Sequence, residues 1–241
     1  MDNLICNTSI GVDLGTTTGV AWASVVDNTL TDFRATTVNL LPDKLHRSLI
    51  KGAPKALRNH DPRSVYLWSL LKEVVESTPG PHYLTFEDVK FSSTTYQSQL
   101  WGTLRGAMWL VPVDYFFAVP TNLLKKFATG HGGARKELMD SYFLRSFDGG
   151  DRDDNLVDAM FALCYGAEQV GINYNFSIRN QWTRITTNLE QAIKGRLSLL
   201  KRKPSKPHGT SPRSLPPFES STHSRSKRTR TTSRTKTRRL S

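Results

Sequence analysis

The sequence predicts an α/β domain, a mixed five-stranded sheet flanked by helices, with a disordered basic tail behind it. Three observations predict this. Three β-rich segments follow one another near the N-terminus, helix and strand patterns alternate from residue 62 onward, and beyond residue 200 large apolar residues almost vanish while Lys and Arg accumulate.

The elements follow in order. Residues 9–14, 18–26 and 31–40 are rich in β-formers and are separated by Gly15 to Thr17 and by Asp27 and Asn28, so they read as an antiparallel meander. Residues 41–60 are polar and hold Pro42, Gly52 and Pro54, which predicts a long surface loop. Pro62 starts a helix in which Val65, Trp68, Leu71, Val74 and Val75 recur at helical spacing, and Pro79 and Pro81 stop it. A strand at 82–86 precedes a helix at 94–109, with Leu100, Leu104, Ala107 and Met108 on one face and Gly102 and Gly106 allowing a close neighbour. A strand at 113–119, helices at 121–127 and 134–147, an acidic loop and a helix at 155–169 complete the domain. Three strands in a row, then alternating helix and strand, is the order of the ribonuclease H-like fold. The expected organisation is a ribonuclease H-like domain over 1–175, a C-terminal helical extension over 176–200 and a disordered Lys/Arg/Ser-rich tail over 201–241.

Composition narrows the class. With 241 residues, 37% of them hydrophobic, and 2 cysteines, the chain suits one domain with leftover sequence and excludes a disulfide scaffold. The most apolar run, 107–119, is broken by Pro112 and Asp114 and is too short for a membrane span. No secretory pattern opens the sequence, so Cys6 and Cys164 read as free thiols and the expected location is the cytoplasm.

Charge is concentrated at one end. From Lys194 to Ser241 there are 15 Lys and Arg against one acid, Glu219, a balance of +14 within a total of +12, which leaves −2 for residues 1–193. Such a tail buries too little surface to offset its ordering entropy, and a polycation binds polyphosphate by releasing condensed counterions. It points to nucleic acid, with a solubilising or localisation role as the alternative.

The acids point to chemistry. Asp13 interrupts the apolar run Ile10-Gly11-Val12-Asp13-Leu14, where a charge is costly unless paired or bound to a cation, and Glu87 ends the apolar strand Tyr83-Leu84-Thr85-Phe86 in the same manner. Both would emerge at strand ends of one sheet. Asp154 and Asp158, four apart, share one face at the start of the last helix. Ion pairs with Arg or Lys are the alternative for the strand acids, and an N-cap role is the alternative for Asp154. Together the four suit Mg²⁺, because hard cations take carboxylate oxygens and two such ions promote hydrolysis of a phosphodiester. The six histidines have no partner at zinc-ligand spacing.

At this point five blocks resemble the RuvC family of Holliday-junction resolvases, especially its phage branch. Ile10-Gly11-Val12-Asp13-Leu14-Gly15 with Thr18-Gly19-Val20-Ala21-Trp22 resembles the first strand and hairpin, and Phe86-Glu87-Asp88-Val89 the second acidic motif. Trp101-Gly102-Thr103-Leu104-Arg105-Gly106 is similar to a Gly-x-x-Arg-Gly helix that serves dimer packing in that family. Pro120, Lys125, Gly130, Gly132, Ala134 and Lys136 resemble a segment whose lysines lie near the scissile DNA, and Asp153-Asp154-Asn155-Leu156-Val157-Asp158-Ala159 resembles the phage-type acidic block. The usual third acid falls here on Asn155, so its role moves to Asp154, with Asp153 and Asp151 as substitutes. Phe91 is nearest to the family's junction-wedging aromatic, one place late.

The resemblance implies a Mg²⁺-dependent endonuclease, with Mn²⁺ able to substitute, that nicks four-way or otherwise branched DNA as a homodimer and is virus-encoded. It implies Asp13, Glu87, Asp154 and Asp158 as metal ligands, Lys125 and Lys136 as catalytic lysines, and Lys125, Lys126, Arg135, Lys136 and Phe91 as nucleic-acid contacts. Three rivals remain at this point: an RNA-processing nuclease of the same fold, an actin-like ATPase suggested by Asp13-Leu14-Gly15-Thr16-Thr17-Thr18, and a non-enzymatic nucleic-acid-binding protein.

Overall fold

Alternation along the first strand decides which way the domain is layered. In β1 (Thr8–Asp13), Ile10 and Val12 enter one apolar core, while Ser9, Gly11 and Asp13 occupy the other face. A computed structural model describes residues 7–40, 63–89, 95–176 and 179–187. β2 (Thr17–Val26) and β3 (Thr29–Asn39) complete the antiparallel meander. The turn between them uses Asp27 and Asn28 at φ 48 and 58, the left-handed pair that a two-residue hairpin demands.

β4 (His82–Asp88) runs parallel to β1, and β5 (Tyr115–Pro120) runs parallel to β4. The order β5-β4-β1-β2-β3 is the ribonuclease H-like arrangement that the sequence predicts, and it continues through β7 (Asn180–Arg184) to β6 (Phe147–Gly149). Among the described residues the sheet therefore has seven strands rather than five. β6 is too short to carry any periodicity, and in β7 only Trp182 is buried, so neither gives an alternating signal. β7 also corrects the expected helical extension: residues 180–184 are extended and lie parallel to β3, with Ala35 opposite Arg184.

Two helical layers cover the sheet. α1 (Arg63–Ser77) and α2 (Thr95–Met108) pack Leu67, Leu70, Leu71, Leu104 and Met108 against Ile10, Val12, Val20, Leu84 and Phe86. On the opposite face, α3 (Thr121–Thr129), α4 (Lys136–Ser146) and α5 (Asp154–Gln169) form a second core, which includes Phe143, Phe147, Phe161 and the fully buried Cys164.

α5 lies close on the sheet because the strands beneath it carry glycine. A methyl group on Gly11 would overlap the Ala159 carbonyl, and one on Gly19 would overlap the Asn155 carbonyl. From the helix side, one on Gly166 would overlap Thr85. Gly102 and Gly106 do not serve this way within the chain, since no described atom lies within 4 Å of a side chain built at either. The expectations for the 41–60 loop, Phe91, Cys6 and everything after residue 187 fall outside the described residues.

Candidate active site

Three carboxylates reach one end of the sheet from three elements. The parallel register pairs Val12 with Phe86, so Asp13 and Glu87 each stand one step beyond that pair at neighbouring strand ends. Period-two alternation turns both toward α5. Asp158 completes the group from α5, one turn after Asn155 docks over Gly19, the residue opposite Asp13 on β2.

Their electrostatics show the coupling. Burial raises the Asp13 carboxyl well above its ordinary range, and the charges of Glu87 and Asp158 raise it further. Asp158 is pushed up to about 7, first by burial and then by Glu87, against the opposing pull of Lys125. Glu87 is only 7% exposed. Among the described residues, none of the three accepts a hydrogen bond or forms an ion pair. Burying unpartnered carboxylates is unfavourable in a folded chain unless something else compensates them.

The remaining acids of the acidic block are engaged. Asp154 is exposed, and its Oδ2 meets Lys136 Nζ at 2.6 Å. The helix N-cap is Asp153, not Asp154: Asp153 Oδ1 accepts from the Leu156 amide at 3.0 Å and from Thr37 Oγ1 at 3.1 Å. Asp151 is exposed, and its backbone carbonyl accepts from Arg184 at 2.9 Å.

The basic residues flank the acids. Lys125, Lys136, Asp154 and Asp158 line a small cavity of ≈ 60 Å³. Lys125 is half-buried, while Lys126, Arg135 and Lys136 are exposed along α3 and the turn into α4. Gly130 ends α3 in the left-handed conformation at φ 80, and its amide closes on the Lys126 carbonyl at 2.8 Å.

Two contacts have no sequence precedent because their partners are far apart in the chain. Arg105 of α2 pairs with Asp88 and donates to the Val89 carbonyl at 3.0 Å, tying that helix to the strand end that carries Glu87. Arg184 of β7 reaches Asp153 at 3.5 Å.

Divalent-cation chemistry fits the donors, since three carboxylates there, one of them almost fully buried, form no ion pair among the described residues and have only the more distant charges of Lys125 and Lys136 to offset them. As they stand, no three His, Cys, Asp or Glu side chains among the described residues gather closely enough to enclose an ion.

The chain resembles solved structures in its fold. Thermus thermophilus RuvC matches at TM-score 0.46 and 18% identity, covering 68% of this chain and 97% of that one. T. thermophilus RuvC in complex with Holliday junction substrate matches at TM-score 0.48 and 18% identity, covering 68% and 96%. No protein-family profile matches the sequence. No curated protein matches it. Among the described residues, no helix is long and apolar enough to cross a membrane.

Proposed function

We propose that the protein is a Mg²⁺-dependent endonuclease that hydrolyses phosphodiesters in branched DNA, with four-way junctions as its substrate and a homodimer as its working form. One observation carries the reading: Asp13, Glu87 and Asp158 converge closely enough for Glu87 to raise the pKa of both aspartates, and none of the three forms an ion pair among the described residues. The phage-type resolvase likeness of the five sequence blocks names the substrate.

Asp13, Glu87 and Asp158 would hold the cations, with Mn²⁺ able to replace Mg²⁺, and Asp154, which pairs with Lys136, would be the outer acid. A bound divalent ion supplies an acidified water and stabilises charge on the leaving 3′ oxygen. The chain's own residues do the rest. Lys125, beside Asp158, and Lys136, beside Asp154, present ammonium groups to the scissile phosphate. Lys126 and Arg135 extend that basic rim along the DNA backbone, where contacts orient the substrate without reading sequence. Phe91 follows the second acidic motif and is proposed to enter the junction stack.

The test is nicking of a synthetic four-way junction in Mg²⁺ by the full chain, with linear duplex and an RNA junction as comparison substrates. Wild type nicks the DNA junction, and Asp13→Asn and Glu87→Gln each lose nicking while retaining junction binding. Near wild-type nicking by either variant overturns the metal assignment, and preferential cutting of RNA moves the substrate to the RNA-processing branch.

A further inference from the structure

We infer that Arg184, on a strand beyond the nuclease-like block, is a positioning residue that sets where α5 presents its acids to the cation. This rests on the metal-site reading above and names a residue which that reading does not use. Three observations support it.

First, the residue that fixes the start of α5 is held from two strands. Asp153 accepts from the Leu156 amide with Oδ1 and takes a second bond there from Thr37 of β3. Its other oxygen faces Arg184 of β7 at 3.5 Å. Second, Arg184 grips backbone as well as side chain. Its other terminal nitrogen donates to the Asp151 carbonyl at 2.9 Å, so one guanidinium spans the turn that leads into α5.

Third, β7 itself is anchored independently of this contact. Ala35 pairs with Arg184 in the sheet, and the Ile185 amide donates to the Ala35 carbonyl at 2.8 Å. Trp182 is buried beside Phe143. The arginine is thus presented from a fixed strand, and its side chain, 40% exposed, adds little to the core. Asp158 follows Asp153 by five residues on the same rigid helix. A shift of the first turn is therefore transmitted to its carboxylate, and a displacement of an ångström is costly to catalytic geometry.

A structural role alone would lower stability and nothing more. The full-length protein and its Arg184→Ala and Arg184→Lys variants are compared by Mn²⁺ binding in electron paramagnetic resonance and by amide exchange at Leu156 and Val157. Thermal midpoint and junction nicking, resolved into kcat and KM, complete the comparison. Arg184→Ala weakens Mn²⁺ binding at least five-fold, speeds exchange at those amides, and lowers kcat about ten-fold. KM stays within two-fold and the midpoint within a few degrees. Arg184→Lys, which keeps the charge but only one donor nitrogen, recovers part of the Mn²⁺ affinity.

Unchanged Mn²⁺ affinity and exchange in Arg184→Ala overturn the inference. So does a loss confined to KM, which makes Arg184 a phosphate contact. A wild-type chain that binds Mn²⁺ yet cuts no branched DNA overturns the nuclease reading alone, and the binding and exchange measurements still decide the role of Arg184. A wild-type chain that binds no Mn²⁺ overturns both.

Discussion

Gly19 stands directly opposite Asp13 across the β1–β2 ladder, and the space its absent side chain leaves is filled by the Asn155 carbonyl of α5. The acid and the gap that brings its partner helix down are thus a cross-strand pair.

Gly19→Ala tests this close approach. The added methyl has only backbone to meet, so α5 must lift, at a cost of about 1–3 kcal/mol typical of overpacking. Urea denaturation of the variant should show a midpoint lowered to match, with Mg²⁺-dependent nicking lost by more than stability explains. A variant as stable and active as wild type shows that α5 does not depend on this contact.

Replacing Asp13 should separate stability from activity in opposite directions. The raised pKa means that its ionised form opposes folding near neutral pH, so Asp13→Asn without divalent ions should melt no lower than wild type. Wild type should gain about 1.4 kcal/mol when Mg²⁺ is tenfold above its Kd, a gain the variant lacks. Equal Mg²⁺ shifts in calorimetry for both proteins remove Asp13 from the cation site.

Asp158 should set a pH threshold. Its folded pKa is raised to about 7, so the native chain holds a proton that the unfolded chain releases near pH 4. Without divalent ions, stability from this group is present at low pH and falls as pH rises from about 4 to about 7. Cation uptake runs the other way, because that proton must leave, so Mg²⁺ affinity and nicking should climb through pH 7. A flat profile between pH 5.5 and 8.5, with Asp158→Asn behaving alike, counts against the coupling.

Deleting Lys203 to Ser241 removes eleven Lys and Arg and one acid. The truncated chain should keep nicking at saturating junction and low salt. Its affinity should fall, and the slope of log affinity against log salt should become shallower, because fewer counterions are released. Complete loss of metal-dependent cutting instead places the function in the tail.

Much of this site is visible in the sequence because strand periodicity is local. Polar interruptions at Asp13 and Glu87 stand out against Ile10, Val12, Leu84 and Phe86, and the spacing of Asp154 and Asp158 puts both at the start of one helix. The division of labour among the acids is not visible. Asp153 takes the cap and Asp154 takes Lys136, choices made by Thr37 and Lys136, which lie on other elements. β7 escapes for a related reason. Its hydrogen-bond partner is β3, nearly 150 residues earlier, and one buried Trp182 in five residues leaves no repeating pattern to read.

The thiol of Cys164 on α5 has no exposed surface, and burial raises its pKa, so it is a poor nucleophile where it stands. Alkylating reagents can meet it only when the packing around α5, the helix that also bears Asp158, opens locally. Its labelling rate is therefore a clock for how often the core around that helix comes open.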